Sequence, residues 1–103
     1  MGNYYLLDEN NVPYEVTLEE FAQSDIWNDR ARNTIGRNEF GDVLVSTVFL
    51  GIDHSFGMNE EAPILFETMI LGGNYDGYQI RCSDWDTAIK HHNQALELIT
   101  SKN

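Results

Sequence analysis

Three residues near the middle of the chain could do acid–base chemistry: Asp53, His54 and Glu67. An imidazole beside a carboxylate can serve as an oriented general base or as a metal ligand. Asp53-His54 stands where an apolar, β-branched run gives way to the loop 53–63, and strand ends that open into longer loops often carry functional side chains. The structural alternative, which is favoured, has Asp53 capping a turn and His54 bonding to a loop carbonyl. Glu67 interrupts the apolar run Ile64–Leu71. An unpaired carboxylate buried there costs several kcal/mol or shifts its pKa upward. Glu67 therefore faces solvent or has a partner, and Arg81 on the next strand is the candidate partner. Only if Glu67 and His54 share a cleft do they form an acid–base pair, so Asp53, His54 and Glu67 are weak catalytic candidates.

The remaining reactive types point to structure. His91 and His92 are neighbours on a helix and diverge by about 100°. No H-x-x-x-H, C-x-x-C or H-E-x-x-H spacing accompanies them. Zinc needs three or four convergent ligands, so neither a metal nor a cofactor is expected. His92 falls on an apolar helix stripe and reads as a hydrogen-bonded core histidine, with His91 at the edge of the helix–sheet contact. Cys82 precedes a helix start, where the dipole can lower a thiol pKa. Its alternation with Tyr78 and Ile80 instead favours a small buried hydrophobe. Gly72-Gly73 and Gly77 lack a P-loop lysine or a G-x-G-x-x-G pattern, and no G-x-S-x-G occurs.

The elements that must position these residues follow from patterning. Tyr4–Leu7 and Val12–Val16 flank the turn formers Asp8-Glu9-Asn10-Asn11 and read as a hairpin. Thr17-x-x-Glu20 is a capping box that starts a helix, with Val16 and Phe21 at the staple positions. Ser24 and Asp25 can break that helix and cap a second turn bearing Ile26 and Trp27. Strands are expected at Thr34–Phe40, Val43–Ile52, Ile64–Leu71 and Tyr78–Cys82, the last two joined through the glycine-rich 72–77 turn. Ser83 with Asp86 reads as a second capping box. Trp85, Ala88, Ile89, His92, Ala95, Leu96 and Ile99 then form one helical stripe. The whole is one α+β domain, residues 1–103. It combines a mostly antiparallel sheet of about four to six strands with an N-terminal helix and a long amphipathic C-terminal helix packed on it.

Composition restricts the function classes. The 103 residues carry 17 acids against 6 Lys and Arg, a formal charge of −11. Phosphate neutralisation needs clustered bases, so direct nucleic-acid binding is not expected, nor is an anionic membrane surface. Five Phe, five Tyr and two Trp set the chain apart from a disordered acidic tail. No apolar run approaches the roughly 20 residues that span a bilayer. The first residues lack a signal-peptide pattern, and one cysteine fits a reducing compartment. The expected setting is the cytoplasm. The charge is uneven: residues 1–29 hold seven acids and no Lys or Arg, as do residues 38–80, and Arg30, Arg32 and Arg37 lie between.

The segment Gly41 to Gly57, GDVLVSTVFLGIDHSFG, resembles a signature of small proteins encoded by bacteriophages and prophages. So do Leu65-Phe66-Glu67-Thr68-Met69, Gly72-Gly73 with Asp76-Gly77, and the Arg81–Trp85 segment with Ala88 and His91. The resemblance covers residues 41 to about 99. It implies a phage or prophage setting and transfers no catalytic residue.

Together these readings favour a non-enzymatic accessory protein that binds a host or phage protein with a basic surface. One version is an inhibitor of a host-defence or nucleic-acid enzyme whose carboxylates stand in for phosphates. Asp53, His54, Glu60, Glu61 and Asp76 are the candidate interaction residues. The alternative is a small enzyme or ligand-binding protein built around Asp53, His54 and Glu67. A self-associating homodimer is a third reading, because a small open sheet leaves edges unpaired.

Overall fold

A computed structural model describes residues 4–24, 33–53 and 62–100. The expected turn with Ile26 and Trp27, the basic side chains Arg30 and Arg32, and His54, Glu60 and Glu61 lie outside the described residues. The fold is α+β. A hairpin, β1 (Tyr4–Leu7) and β2 (Pro13–Val16), leads into helix α1 (Leu18–Gln23). A four-stranded meander follows: β3 (Thr34–Phe40), β4 (Val43–Phe49), β5 (Phe66–Leu71) and β6 (Gln79–Cys82), adjacent in that order and antiparallel throughout. Helix α2 (Trp85–Thr100) lies over one face of this sheet. No helix among the described residues is long and apolar enough to cross a membrane.

Local chemistry explains the boundaries. In the first hairpin the Asp8 carboxylate accepts the N–H groups of Asn10 and Val12, and Asn11 takes a positive φ of 64°. These contacts hold the turn that the Asp/Asn cluster announces. Both arms of the Thr17 capping box are present: Glu20 N–H donates to Thr17 Oγ1, and Thr17 N–H donates to Glu20 Oε1. Phe21 packs on Tyr4, with ring centroids 5.0 Å apart, and so ties α1 to β1. The expected strand Val43–Ile52 stops at Phe49, because Gly51 turns the chain with φ of 78°. Ile52 then forms only an isolated bridge to Tyr4. In β3 the register shifts between Thr34 and Gly36, leaving Ile35 as an extra residue that bends the strand.

The cap of α2 differs from the expected Ser83–Asp86 box. The Asp84 carboxylate accepts the Thr87 backbone N–H and hydroxyl at 2.9 and 2.8 Å, and Asp84 C=O accepts the first helical bond from Ala88. Asp84 is therefore the N-cap. The Thr87 N–H foremost lowers its carboxyl pKa, helped by the Thr87 hydroxyl and the Lys90 charge against partial desolvation. We expect Asp84→Ala to cost about 1 kcal/mol in urea unfolding, and Ser83→Ala to change little. The reverse ranking would restore Ser83 as the cap.

The inner face of the sheet alternates as a half-buried sheet should. Val45, Thr47 and Phe49 of β4, and Phe66, Thr68 and Ile70 of β5, are buried beneath α2. On the helix, Ala88, His92 and Ala95 are buried, while Ile89 is exposed, so the stripe is narrower than expected. Two apolar clusters result. Phe49, Leu65, Phe66, Cys82 and Ala88 form one, extended by Tyr5, Leu6 and Leu7 of the hairpin. Val45, Ile70 and Ala95 form the other.

Candidate functional site

Between the two apolar clusters runs a polar row. Gly36 pairs with Thr47 and Thr47 with Thr68, so three neighbouring strands place them side by side. His92 descends from α2 onto this row. Its Nδ1 lies 2.7 Å from Thr47 Oγ1, and Thr47 Oγ1 lies 2.7 Å from Thr68 Oγ1. On the far side its Nε2 is 2.8 Å from Asn38 Oδ1. With the Asn38 carbonyl oxygen facing the ring, Nε2–H donates to it and Nδ1 accepts from the Thr47 hydroxyl. Thr47 in turn accepts from Thr68. Burial lowers the His92 pKa, so the neutral ring that this pattern needs is the favoured one. Gly36 makes room for the ring: a Cβ there would fall 2.7–2.9 Å from three imidazole atoms.

The order hydroxyl–imidazole–amide is that of a nucleophile relay, yet Thr47 has 0 % exposure and no substrate carbonyl can reach its oxygen. The set is a core fastener. It pins β3, β4, β5 and α2 in one register, since a one-residue slip would carry Thr47 or Thr68 to the opposite face. His92 is thus the hydrogen-bonded core histidine that its stripe position suggested. Asn38, Thr47 and Thr68 were not singled out from the sequence. The signal available was two threonines interrupting apolar runs at inward-facing positions.

The sequence-selected carboxylates are held by different parts of the molecule. Glu67 sits on the sheet face away from α2, opposite Arg81 in the β5–β6 register. Arg81 Nε donates to Glu67 Oε2 at 2.8 Å, and Gln79 Nε2 donates to the same oxygen. The expected partner is the observed one, and the carboxylate carries a structural ion pair. Asp53 Oδ1 accepts the Ile64 N–H at 2.9 Å and so fastens the approach to β5. Asp76 Oδ1 accepts the Gly72 N–H at 2.7 Å and closes the β5–β6 connection. Cys82 is buried and its thiol pKa is raised by burial, the state of an inert core thiol. His91 is half-buried, its Nδ1 enclosed without a hydrogen-bond partner among the described residues. Among the described residues no group of three or more His, Cys, Asp or Glu could hold a metal ion.

A different surface presents both charge and apolar area. The hairpin–α1 unit exposes Glu15, Glu19 and Glu20. A shallow apolar depression is lined by Leu18, Phe21 and Ala22 of α1, the chain neighbours of Glu19 and Glu20, together with Leu50 and Ile52. Leu18 is 58 % exposed and Ile52 39 %, although both are large hydrophobes. Exposed apolar surface with carboxylates close by in the chain is the composition of a recognition patch. Leu18 was not singled out from the sequence and is the most exposed large hydrophobe of the set. Comparison with protein-family models, with curated proteins and with solved structures finds no match to the chain.

Proposed function

We propose that this protein is a non-enzymatic binding module, an accessory protein of the phage or prophage kind that acts in the host cytoplasm on a protein with a basic surface. One observation carries this reading: the apolar depression that α1 forms with Leu50 and Ile52, next in the chain to the exposed carboxylates Glu19 and Glu20. Glu15 and Glu19 steer a basic partner over a distance set by ionic screening. Leu18 and Ile52 supply apolar area that becomes favourable once water is displaced. The segment 1–29 carries no Lys or Arg to neutralise the field. A partner evolved to hold nucleic acid fits this chemistry, with carboxylates occupying the places of phosphates. The resemblance in residues 41–99 supplies the phage setting.

The test begins with the protein immobilised in host-cell extract, and continues with the captured protein as a purified pair. Raising salt from low to physiological strength is expected to slow association by about tenfold or more. Glu15→Lys with Glu19→Lys weakens binding by a comparable factor. Leu18→Ser acts mainly by speeding dissociation. Neither Glu15 nor Glu19 belongs to the capping box, and Leu18 is exposed, so these variants keep the fold. A complex indifferent to salt and to all three substitutions would remove the charge-steered reading.

A further inference from the structure

The four-stranded sheet ends on one side in β6, four residues long, and on the other in β3, seven residues long. Among the described residues no strand pairs with the outer edge of β3. Such an edge is a template for another strand. The two-residue turn Gly41-Asp42 joins β3 to β4, with Gly41 at φ of 61°. In a hairpin closed this way the flanking pair, Phe40 and Val43, is hydrogen-bonded. Alternation then turns the N–H and C=O of Phe40, Asn38 and Gly36 toward β4. Those of Glu39 and Arg37 point outward.

The residues of this edge complement themselves. Around Asn38 the strand reads Gly36-Arg37-Asn38-Glu39-Phe40. If a second copy lies antiparallel about a two-fold axis at Asn38, Arg37 falls opposite Glu39 of the second copy, and Glu39 opposite its Arg37. Gly36 falls opposite Phe40 of the second copy, and Phe40 opposite its Gly36. The outward-turned backbone groups belong to the residues that then become hydrogen-bonded pairs, Arg37 with Glu39. Opposite charges directly across strands are favourable and like charges are not. Gly36 contributes no side chain of its own opposite the Phe40 ring, and the His92 imidazole already fills the space where its Cβ would be. The side chains are available: Arg37 is 53 % and Glu39 67 % exposed, and Phe40 is 46 % exposed. Within one chain Arg37 and Glu39 meet only at 3.6 Å on the surface, a contact of little worth by itself.

We infer that β3 is a self-recognition edge through which two copies of this chain join their sheets into one of eight strands. Closed two-fold pairing consumes the β3 edge of each copy, leaves the short β6 strands at the margins, and stops at the dimer. The inference is independent of the acidic surface on the hairpin–α1 unit, and salt separates the two. Two chains of charge −11 repel, so added salt strengthens the homodimer, whereas it weakens a complex with a basic partner.

Sedimentation equilibrium of the full chain at moderate salt, over a wide concentration range, should show the mass doubling from one chain to two. Arg37→Glu alone sets carboxylate against carboxylate across the axis, and Glu39→Arg alone sets guanidinium against guanidinium. Each single variant is expected to stay monomeric. Mixed together, they present only opposite pairs and should regain the dimer mass. The double swap, Arg37→Glu with Glu39→Arg, should dimerise by itself and shows that the substitutions leave the fold intact. A wild-type chain that stays monomeric overturns the inference. So do single variants that dimerise as well as the parent, or a mixture that fails to pair.

Discussion

His92→Ala is expected to remove about 3–5 kcal/mol of stability, a large share of what a domain of this size has. Two losses add. The imidazole fills the space between α2 and Gly36, and its removal leaves a cavity. It is also the acceptor for the buried Thr47 hydroxyl, which then keeps Thr68 as its one protein partner. Thr47→Val isolates the second loss at nearly constant volume and should cost about 1–3 kcal/mol, because His92 Nδ1 and the Thr68 hydroxyl both lose their partner. Converting the whole set, His92→Leu with Thr47→Val and Thr68→Val, should cost less than the sum of the single changes, since no polar group is then stranded. Urea unfolding followed by circular dichroism measures all of these. Additive losses would show that the hydrogen bonds do not act as one unit.

The same site makes stability depend on pH. Burial lowers the folded-state pKa of His92 below its ordinary value of 6.5. Between that lowered value and 6.5 the unfolded chain binds a proton that the folded chain refuses. Stability is therefore complete above the unfolded pKa and falls as pH drops below it. A His92→Leu variant lacks this component, so the wild type should lose more stability than the variant between neutral pH and mildly acid pH. Asp84 acts in a separate, lower window. Its pKa is lowered from 3.8, so its contribution is present above that value and fades on further acidification. A wild type and a His92→Leu variant with parallel pH profiles would show that the imidazole is not held neutral in the core.

Gly72→Ala is the second large effect. Gly72 has φ of 87°, a conformation costly for any residue with a Cβ. Its built Cβ would lie 2.1 Å from the Asp42 carbonyl oxygen, which is backbone and cannot swing aside. Gly72 N–H also donates to Asp76, so a shift that relieves the clash breaks that bond. The β3–β4 turn and the β5–β6 connection are in contact here, and the alanine must push them apart. A loss of about 3–5 kcal/mol is expected. Gly41→Ala provides the comparison: φ is 61° but nothing lies within 4 Å, so only the conformational cost of about 1–2 kcal/mol remains. Equal losses at the two positions would mean that the Asp42 contact carries no weight.

What was readable in the chain follows a physical division. The strand character of 43–49 and 66–71, the Thr17 capping box and the Asp8 turn are local, each decided by residues within one or two turns of chain. The Glu67–Arg81 pair was also within reach, because a single hairpin joins the two strands and a carboxylate in an apolar strand requires a partner. Ser83 misled because two overlapping cap patterns were both acceptable locally. Asp84 takes the role in the fold, and its carboxylate reaches both donors of Thr87. Ile89 fitted the helical stripe by spacing, yet it lies at the margin of the packed face and is exposed.

Hydrophobic period and turn chemistry act over short range, and for that reason the α+β class, the order of the elements and the inward alternation of Ile80 and Cys82 were legible in the residues. Which polar residues meet was settled only by packing. Asn38, Thr47, Thr68 and His92 come from four elements and lie up to 54 residues apart. Their meeting depends on strand register and on where α2 settles along the sheet. Both are properties of the packed whole, in which a buried hydroxyl or imidazole is stable only at the register that satisfies it. The edge of β3 belongs to the same category: its palindrome of charge was always written in the chain, but only the sheet order puts it at the margin, where a second copy can read it.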